Sequence, residues 1–293
     1  MSRWIYPDIG RPGLANSLLP LARALVLSRA ANVPMLAPRW ARLRIGPFLR
    51  GERDKRSYWR YMRGDPADVT GMRRLLALAQ PNRVTEAKAW EEMTAHGGLR
   101  SNGVVVVRGM DDYFVPLRGH AELIRASFIQ RVADDALTPP TARPAPGSYI
   151  AIHARRGDFT IDPKALTPLE WFVDRLTALR SAALSSRASP QHAFVVTDGS
   201  REELQPLLEL PGVSLWQGKS AADDLVLLAG ARAVLGSANS TFSMLGAFLG
   251  NGTLIMPPGG NLPAGVFGDA ARETESALGA ALPQIIVASL YAA

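Results

Sequence analysis

The sequence predicts an α/β fold built as two halves, each with a parallel sheet flanked by helices. In residues 148–293, short apolar segments alternate with segments of helical periodicity. These apolar segments lack polar–apolar alternation, which is typical of strands buried on both faces of a parallel sheet. Four prolines within residues 137–147 exclude both a helix and a central strand, so this window marks a break between the two halves.

The second half predicts strands and helices in regular alternation. Strands are expected at 148–154, 192–197, 213–216, 233–236 and 253–256, and helices at 167–185, 200–208, 221–231 and 240–249. Ligands of open parallel sheets bind outside the carboxyl ends of the strands. The loops that follow these strands are therefore the first candidates for a functional site.

The first half follows the same order less regularly. Strands are expected at 4–7, 33–36 and 104–107, and helices at 14–31 and 120–134. We therefore predict an N-terminal β/α domain (1–137), a proline-rich linker (138–147) and a C-terminal domain (148–293). Together they would form two facing Rossmann-like domains with a cleft between them.

The composition narrows the class of protein. The sequence contains no cysteine, which excludes disulfides, a thiolate nucleophile and a cysteine metal site. No apolar run is long enough to span a bilayer, and the first residues lack the features of a signal peptide. We therefore expect a cytoplasmic protein without a transmembrane segment.

The chain is basic, with a net charge of +7 and a sequence pI of about 10.1. Arginines and aromatic residues are mixed within residues 39–74, which could contact nucleic acid or stack on a glycan acceptor, although a solvated helical face is the more ordinary interpretation. Arginines at strand ends rather than along one face argue against a nucleic-acid partner. The charge is compatible with small anionic substrates and with peripheral contact at a membrane surface.

The segment His153–Asp158 is the strongest candidate site. An apolar strand delivers His153 and the adjacent guanidinium groups of Arg155 and Arg156 to a strand end, where Gly157 permits a tight turn before Asp158. Arginine offers a planar, permanently charged fork of donors that suits a diphosphate. We therefore predict an anion-binding loop.

Three further loops lie at expected strand ends. Asp198 follows the second strand of this half and could cap the next helix or accept hydrogen bonds from a guanine. Small polar residues before the helix at 240–249 could form a phosphate cradle. In the first half, a glycine turn precedes the N-terminal helix and carries Gly13 and Asn16, which could face the cleft.

Four of these elements, taken in order, resemble the GDP-fucose-dependent fucosyltransferases of the α-1,2-, α-1,6- and protein O-fucosyltransferase group. The segment His153–Asp158 is similar to their His-x-Arg-Arg-Gly-Asp motif, and Val195–Asp198 resembles their strand ending in Ser/Thr-Asp. The block from Asp223–Leu228 to Ala238–Ser243 resembles their Asp-Leu-x-Leu-Met…Ala-Asn-Ser-Ser-Phe-Ser pattern. Gly13–Asn16 resembles their Gly-Leu-Gly-Asn loop, with alanine at its third position.

The resemblance implies a GT-B fold. It also implies a transfer of L-fucose, or a related sugar, from a GDP-sugar to a hydroxyl of a glycan or small molecule. This transfer would invert the configuration of the sugar and would need neither a metal ion nor a cofactor. Arg156 would clamp the β-phosphate and stabilise the leaving GDP. The implied substrate-binding residues are His153, Arg155, Asp158, Asp198, Asn239, Ser240, Thr241, Phe242, Gly13 and Asn16. Asp8 is our choice for the general base, with Asp158 and Glu170 as the other candidates.

Two alternatives remain open at this point. The first is a GT-B enzyme that uses another GDP-sugar, in which Arg156 would keep its role while the sugar pocket differs. The second is a non-catalytic GDP-binding module, which the altered Gly13–Asn16 loop favours. The sequence does not specify the acceptor.

Overall fold

The computed structural model describes residues 3–10, 13–41, 57–157, 166–182, 192–260 and 262–291. The chain divides into two units. The described part of the first unit is 3–10, 13–41 and 57–133. The described part of the second unit is 134–157, 166–182, 192–260 and 262–291. The change of unit after Ala133 precedes the predicted linker at 138–147.

The first unit contains, within its described residues, a three-stranded parallel sheet in the order β1-β3-β2. Its strands are β1 (Arg3–Asp8), β2 (Arg83–Thr85) and β3 (Gly103–Arg108), and its helices are α1 (Leu14–Ala31), α2 (Gly71–Ala79), α3 (Glu86–His96) and α4 (Ala121–Gln130). The strand expected at 33–36 is reduced to isolated bridges at Met35 and Leu36. Pro34 and Pro38 flank them and lack the N–H groups that would extend a ladder.

The second unit contains, within its described residues, a six-stranded parallel sheet in the order β6-β5-β4-β7-β8-β9. Its strands are β4 (Tyr149–Ala154), β5 (His192–Thr197), β6 (Val213–Leu215), β7 (Ala233–Gly236), β8 (Thr253–Met256) and β9 (Glu273–Glu275). Its helices are α5 (Leu169–Ala182), α6 (Gln205–Leu208), α7 (Ala221–Gly230), α8 (Thr241–Leu249) and α9 (Gln284–Tyr291). The five strands predicted in this half are confirmed, and β9 is an addition.

The chain path through this sheet defines a topological switch point, which is where ligands of open parallel sheets bind. From β4 the chain moves outward through β5 and β6, and it then returns to β7 on the other side of β4 and moves outward again through β8 and β9. The topological switch point therefore lies between the carboxyl ends of β4 and β7. All six residues of β4 are buried, which explains why this strand reads as a continuous apolar run.

Asp223 holds the first residues of the second unit against the helix that carries it, α7. The carboxylate of this fully buried residue, in the first turn of α7, accepts hydrogen bonds from Thr138 N (3.0 Å), Thr138 Oγ1 (2.6 Å), Arg143 Nη2 (2.6 Å) and Lys219 N (3.0 Å). Because Thr138 and Arg143 belong to the predicted linker, that segment is packed against the second unit.

Candidate active site

Three of the predicted loops meet at the switch point of the second sheet. Ser237 Oγ, just after β7, donates to the carbonyl oxygen of His153 (2.8 Å) and accepts from Arg155 N (2.9 Å). Asp198 Oδ1, just after β5, accepts from the N–H groups of Arg156 (2.6 Å) and Gly157 (3.0 Å). The loop after β4 is thus fixed from both sides.

Arg156 has the features of an anion-binding residue. It is 9% exposed, and its Nε and Nη2 atoms are buried without a hydrogen-bond partner among the described residues. Burial lowers the pKa of Arg156, while Glu203, Glu170 and Asp198 act in the opposite direction. A buried guanidinium with unsatisfied donors is costly unless it binds something. The arrangement therefore suits an anionic ligand.

Two glycines leave room for this loop. A Cβ atom on Gly199 would lie 2.7 Å from Cβ and Cγ of Arg156, and a Cβ atom on Gly157 would lie 2.5 Å from Asp198 Oδ2. Either side chain would displace Arg156 or the carboxylate that holds its backbone. Asp198, expected to read a guanine, is a positioning residue in this structure, and its contact with a base stays a prediction.

His153 lies beneath the loop rather than at its surface. Its Nδ1 atom is 2.7 Å from Ser243 Oγ and 3.3 Å from Ser240 Oγ, and its ring centroid is 5.0 Å from that of Phe242. Burial lowers the pKa of His153 to about 4, with Arg155 adding to the effect and Asp198 opposing it. A buried neutral imidazole orients its neighbours, so the expected support of a phosphate by His153 is indirect.

Acidification is expected to destabilise the fold through His153. Because its pKa is about 4 in the fold and 6.5 in a free side chain, the unfolded state takes up the proton first, and stability is lost as the pH falls from 6.5 toward 4. A shift of this size corresponds to about 3 kcal/mol, to be measured by urea unfolding across this pH range. His153→Asn, which cannot be protonated here, should have a smaller pH dependence; an equal dependence in both proteins would contradict this assignment.

The N-terminus of α8 presents the third predicted loop. Ser240 is fully buried and its hydroxyl accepts from Ser243 N (3.3 Å), so it caps the helix instead of facing a ligand. Asn239 is exposed in a left-handed conformation (φ 55°), and Thr241 and Phe242 are half-buried beside it. The positive end of the helix dipole at these three residues favours an anion.

Several residues of this edge were not among the predicted site residues. Ser237 and Ser243 bridge neighbouring loops, and the carboxylate of Glu203 lies close to Gly199 and near Arg156. The loop after β8 also contributes, since Gly260 accepts a hydrogen bond from Asn239 N (3.2 Å). A strand-end rule could have indicated this last loop, whereas bridging hydroxyls have no sequence signature.

The predicted residues of the first unit lie at the corresponding edge of its own sheet. Asp8 is the last residue of β1, Gly13 is the N-cap of α1 and Asn16 lies in the first turn of that helix. Apart from its chain neighbours, no described residue has a heavy atom within 4 Å of a Cβ built on Gly13, so these residues leave the backbone open to close approach. Glu170 is exposed in the first turn of α5, and Asp158 lies outside the described residues.

The described residues offer neither a metal-binding cluster nor a membrane-spanning helix. Within them, no group of three or more His, Cys, Asp or Glu side chains is arranged to hold a metal ion. No helix among them combines the length and hydropathy that crossing a membrane requires.

The strand order of the second unit defines a Rossmann-like domain in a two-unit α/β protein. No family model matches the chain, and no curated protein matches it. Among solved structures, the chain is similar to NodZ α-1,6-fucosyltransferase co-crystallised with GDP, with 16% identity and a TM-score of 0.52, over 85% of this chain and 93% of that one. This similarity confirms the predicted α/β fold of GT-B type.

Two other solved structures are similar at lower scores. The first is the fucosyltransferase NodZ from Bradyrhizobium, with 14% identity and a TM-score of 0.46, over 85% of this chain and 94% of that one. The second is a mutant of Arabidopsis thaliana FUT1 in complex with GDP, with 14% identity and a TM-score of 0.49, over 87% of this chain and 70% of that one.

Proposed function

We propose that this protein is a glycosyltransferase that transfers L-fucose from GDP-fucose to a hydroxyl group of a glycan or small-molecule acceptor. The observation that carries the proposal is the buried guanidinium of Arg156 at the switch point of the second sheet, whose Nε and Nη2 atoms have no hydrogen-bond partner in the described part of the chain. The motif resemblance of the loops around it supports GDP-fucose as the donor. The fold shared with a fucosyltransferase that was co-crystallised with GDP adds to this support.

In the proposed reaction, the acceptor oxygen attacks C1 of fucose as the bond between C1 and the β-phosphate oxygen breaks. Negative charge accumulates on the departing GDP, and Arg156 stabilises it by charge-assisted hydrogen bonds. A single displacement inverts the configuration at C1. Asp8 would accept the proton of the acceptor hydroxyl, and the fixed charge of Arg156 makes the transfer independent of a metal ion.

The other loops bind the donor in this proposal. Arg155 and the first turn of α8, with Asn239, Thr241 and Phe242, would hold the phosphates and the nucleoside, and Asp198 would accept from the guanine. His153 and Ser240 would act from below by fixing these loops. Gly13 and Asn16 would contact the sugar or the diphosphate, and Asp158 would orient Arg155. We also infer a bacterial enzyme of the cytoplasm, in keeping with a sequence free of cysteine.

The proposal predicts selective binding of guanine nucleotides. In isothermal titration calorimetry, GDP and GDP-fucose should bind at least about tenfold more tightly than ADP or UDP, since unpaired polar groups penalise the wrong base. EDTA should leave these affinities unchanged. Inorganic diphosphate serves as the control ligand that tests the anion site without the base.

Three results would overturn parts of the proposal. Absence of GDP binding would refute it as a whole, and binding that requires a divalent ion would refute metal independence. GDP binding without release of GDP from GDP-fucose, with or without glycan acceptors, would favour a different GDP-sugar or a non-catalytic GDP-binding module. A screen of GDP-mannose beside GDP-fucose separates the last two.

A further inference from the structure

Helix α2 carries its large apolar side chains on the outside. Met72, Leu75 and Leu76 are 68%, 57% and 64% exposed, and their spacing places them on one face of the helix. An ordinary surface helix turns such a face toward the core and its charged residues toward water. This helix has the opposite arrangement.

The arginines of α2 pack against the sheet of the first unit. The Arg73 guanidinium lies over the Trp4 ring at 6.0 Å, and that of Arg74 lies over the Tyr6 ring at 5.5 Å. Arg74 Nε also donates to the carbonyl oxygen of Ala37 (2.8 Å). These contacts fix the rotation of the helix, so it cannot turn to bury its leucines.

The inner face of α2 is already packed. Ala77 is buried in a cluster with Leu36 and Val104, and Leu78 packs against the same cluster. The exposed leucines therefore have no place left beneath the helix. A contiguous apolar face held outward on a folded unit is characteristic of an interaction surface.

Two arginines border this face. Arg73 is exposed at its edge, and Arg83 reaches back to donate to the carbonyl oxygen of Leu78 at the helix C-terminus. The two acidic residues that precede the helix, Asp65 and Asp68, both form ion pairs with the buried Arg131. Arg131 offsets one of these two negative charges, and both carboxylates are largely buried, so the exposed surface of α2 combines apolar side chains with arginines.

We propose that the outer face of α2 docks on an anionic lipid surface. Leucine and methionine side chains would enter the boundary of the acyl chains, while the arginines at its edge contact phosphate headgroups. A second copy of the chain fits less well because symmetric pairing would bring arginines of like charge together. This inference does not depend on the proposed function, since it concerns the first unit alone.

Vesicle flotation tests the proposal with the full chain. The protein should float with vesicles made of equal parts of phosphatidylcholine and phosphatidylglycerol. With vesicles of phosphatidylcholine alone it should stay unbound at the bottom of the gradient. The double variant Leu75→Ser with Leu76→Ser should bind about tenfold more weakly, and added salt should weaken binding of the original protein. Leu278→Ser, which alters a leucine 61% exposed in the second unit, is the matched control.

Each other outcome contradicts the proposal. Failure of the original protein to float, equal binding to neutral vesicles, or unchanged binding by the double variant would overturn it. A dimer in size-exclusion chromatography with light scattering that the double variant abolishes would assign the face to self-association instead. Thermal unfolding of all variants should match the original protein, because the altered side chains are exposed.

Discussion

Replacement of Arg156 by alanine is expected to lower the turnover of GDP-fucose by about a hundredfold to a thousandfold, the usual effect of removing one donor aimed at a developing anion. The physical reason is that Nε and Nη2 of Arg156 are buried and lack partners within the described residues, so that a bound diphosphate would satisfy them. Release of GDP, with or without an acceptor, is the measurement, and calorimetry with GDP reports the accompanying loss of affinity.

The same substitution should leave the fold intact or make it more stable. An unsatisfied guanidinium is a cost in the free protein, and alanine removes that cost. Arg156→Lys keeps the charge without the planar fork, so an intermediate activity is expected. Arg201→Ala, at an exposed arginine that follows the Asp198 loop, is the matched control and should retain activity.

This pairing of outcomes separates a ligand-binding role from a structural one. Activity lost at unchanged unfolding temperature supports the assigned role of Arg156. Activity and stability lost together would identify it as a scaffold residue, and unchanged turnover would refute its part in the reaction.

The architecture of the second unit follows well from the sequence. The strands β4, β7 and β8 are buried on both faces and β5 is buried over most of its length, so each reads as a short apolar run whose end is marked by glycine, proline or polar residues. The strand-end rule then located Arg156 and the loops around it. The division of roles among the polar residues does not follow in the same way.

Ser240 and His153 illustrate the difference. A serine before a helix can cap that helix or bind a phosphate, and the choice depends on whether its hydroxyl faces inward. In the structure Ser240 is fully buried and His153 lies against Ser243, a residue 90 positions away. Contacts over such separations leave no local pattern in the sequence.

The first unit was less predictable for a related reason. The strand β2 and the helices α2 and α3 were not expected, because β2 is only three residues long and α2 reverses the usual relation between polarity and burial. That reversal depends on Trp4 and Tyr6. Both residues belong to β1, which is distant from α2 in the sequence. Arginine over an aromatic ring is a tertiary contact that periodicity alone does not encode.

Replacement of Asp223 by alanine is expected to destabilise the protein by about 3–5 kcal/mol, the range found when one member of a buried ion pair is removed. Its fully buried carboxylate accepts from two groups of Thr138, from Arg143 Nη2 and from Lys219 N. Alanine would leave these donors without their acceptor, and Arg143 would remain as a poorly compensated charge. Urea unfolding of the variant and the original protein gives the difference directly.

Control variants show whether the loss of stability comes from the hydrogen bonds of Asp223 or from the mere removal of an acidic residue from the first turn of a helix. Glu122 occupies the first turn of α4 and is exposed, so Glu122→Ala should cost less than about 1 kcal/mol. Ser220→Ala, which removes the cap of α7, should cost about 1 kcal/mol. Asp223→Asn keeps one acceptor and should fall between the cap variant and Asp223→Ala.

Local proteolysis tests where the stability is lost. Because Thr138 and Arg143 lie in the segment that Asp223 holds, its loss should expose residues 138–147 to cleavage before the rest of the second unit unfolds. Cleavage in this segment at a rate equal to that of the original protein would mean that other contacts hold it. An Asp223→Ala variant that unfolds at the original urea concentration would refute the attachment itself, since no fully buried carboxylate with these partners can be removed without cost.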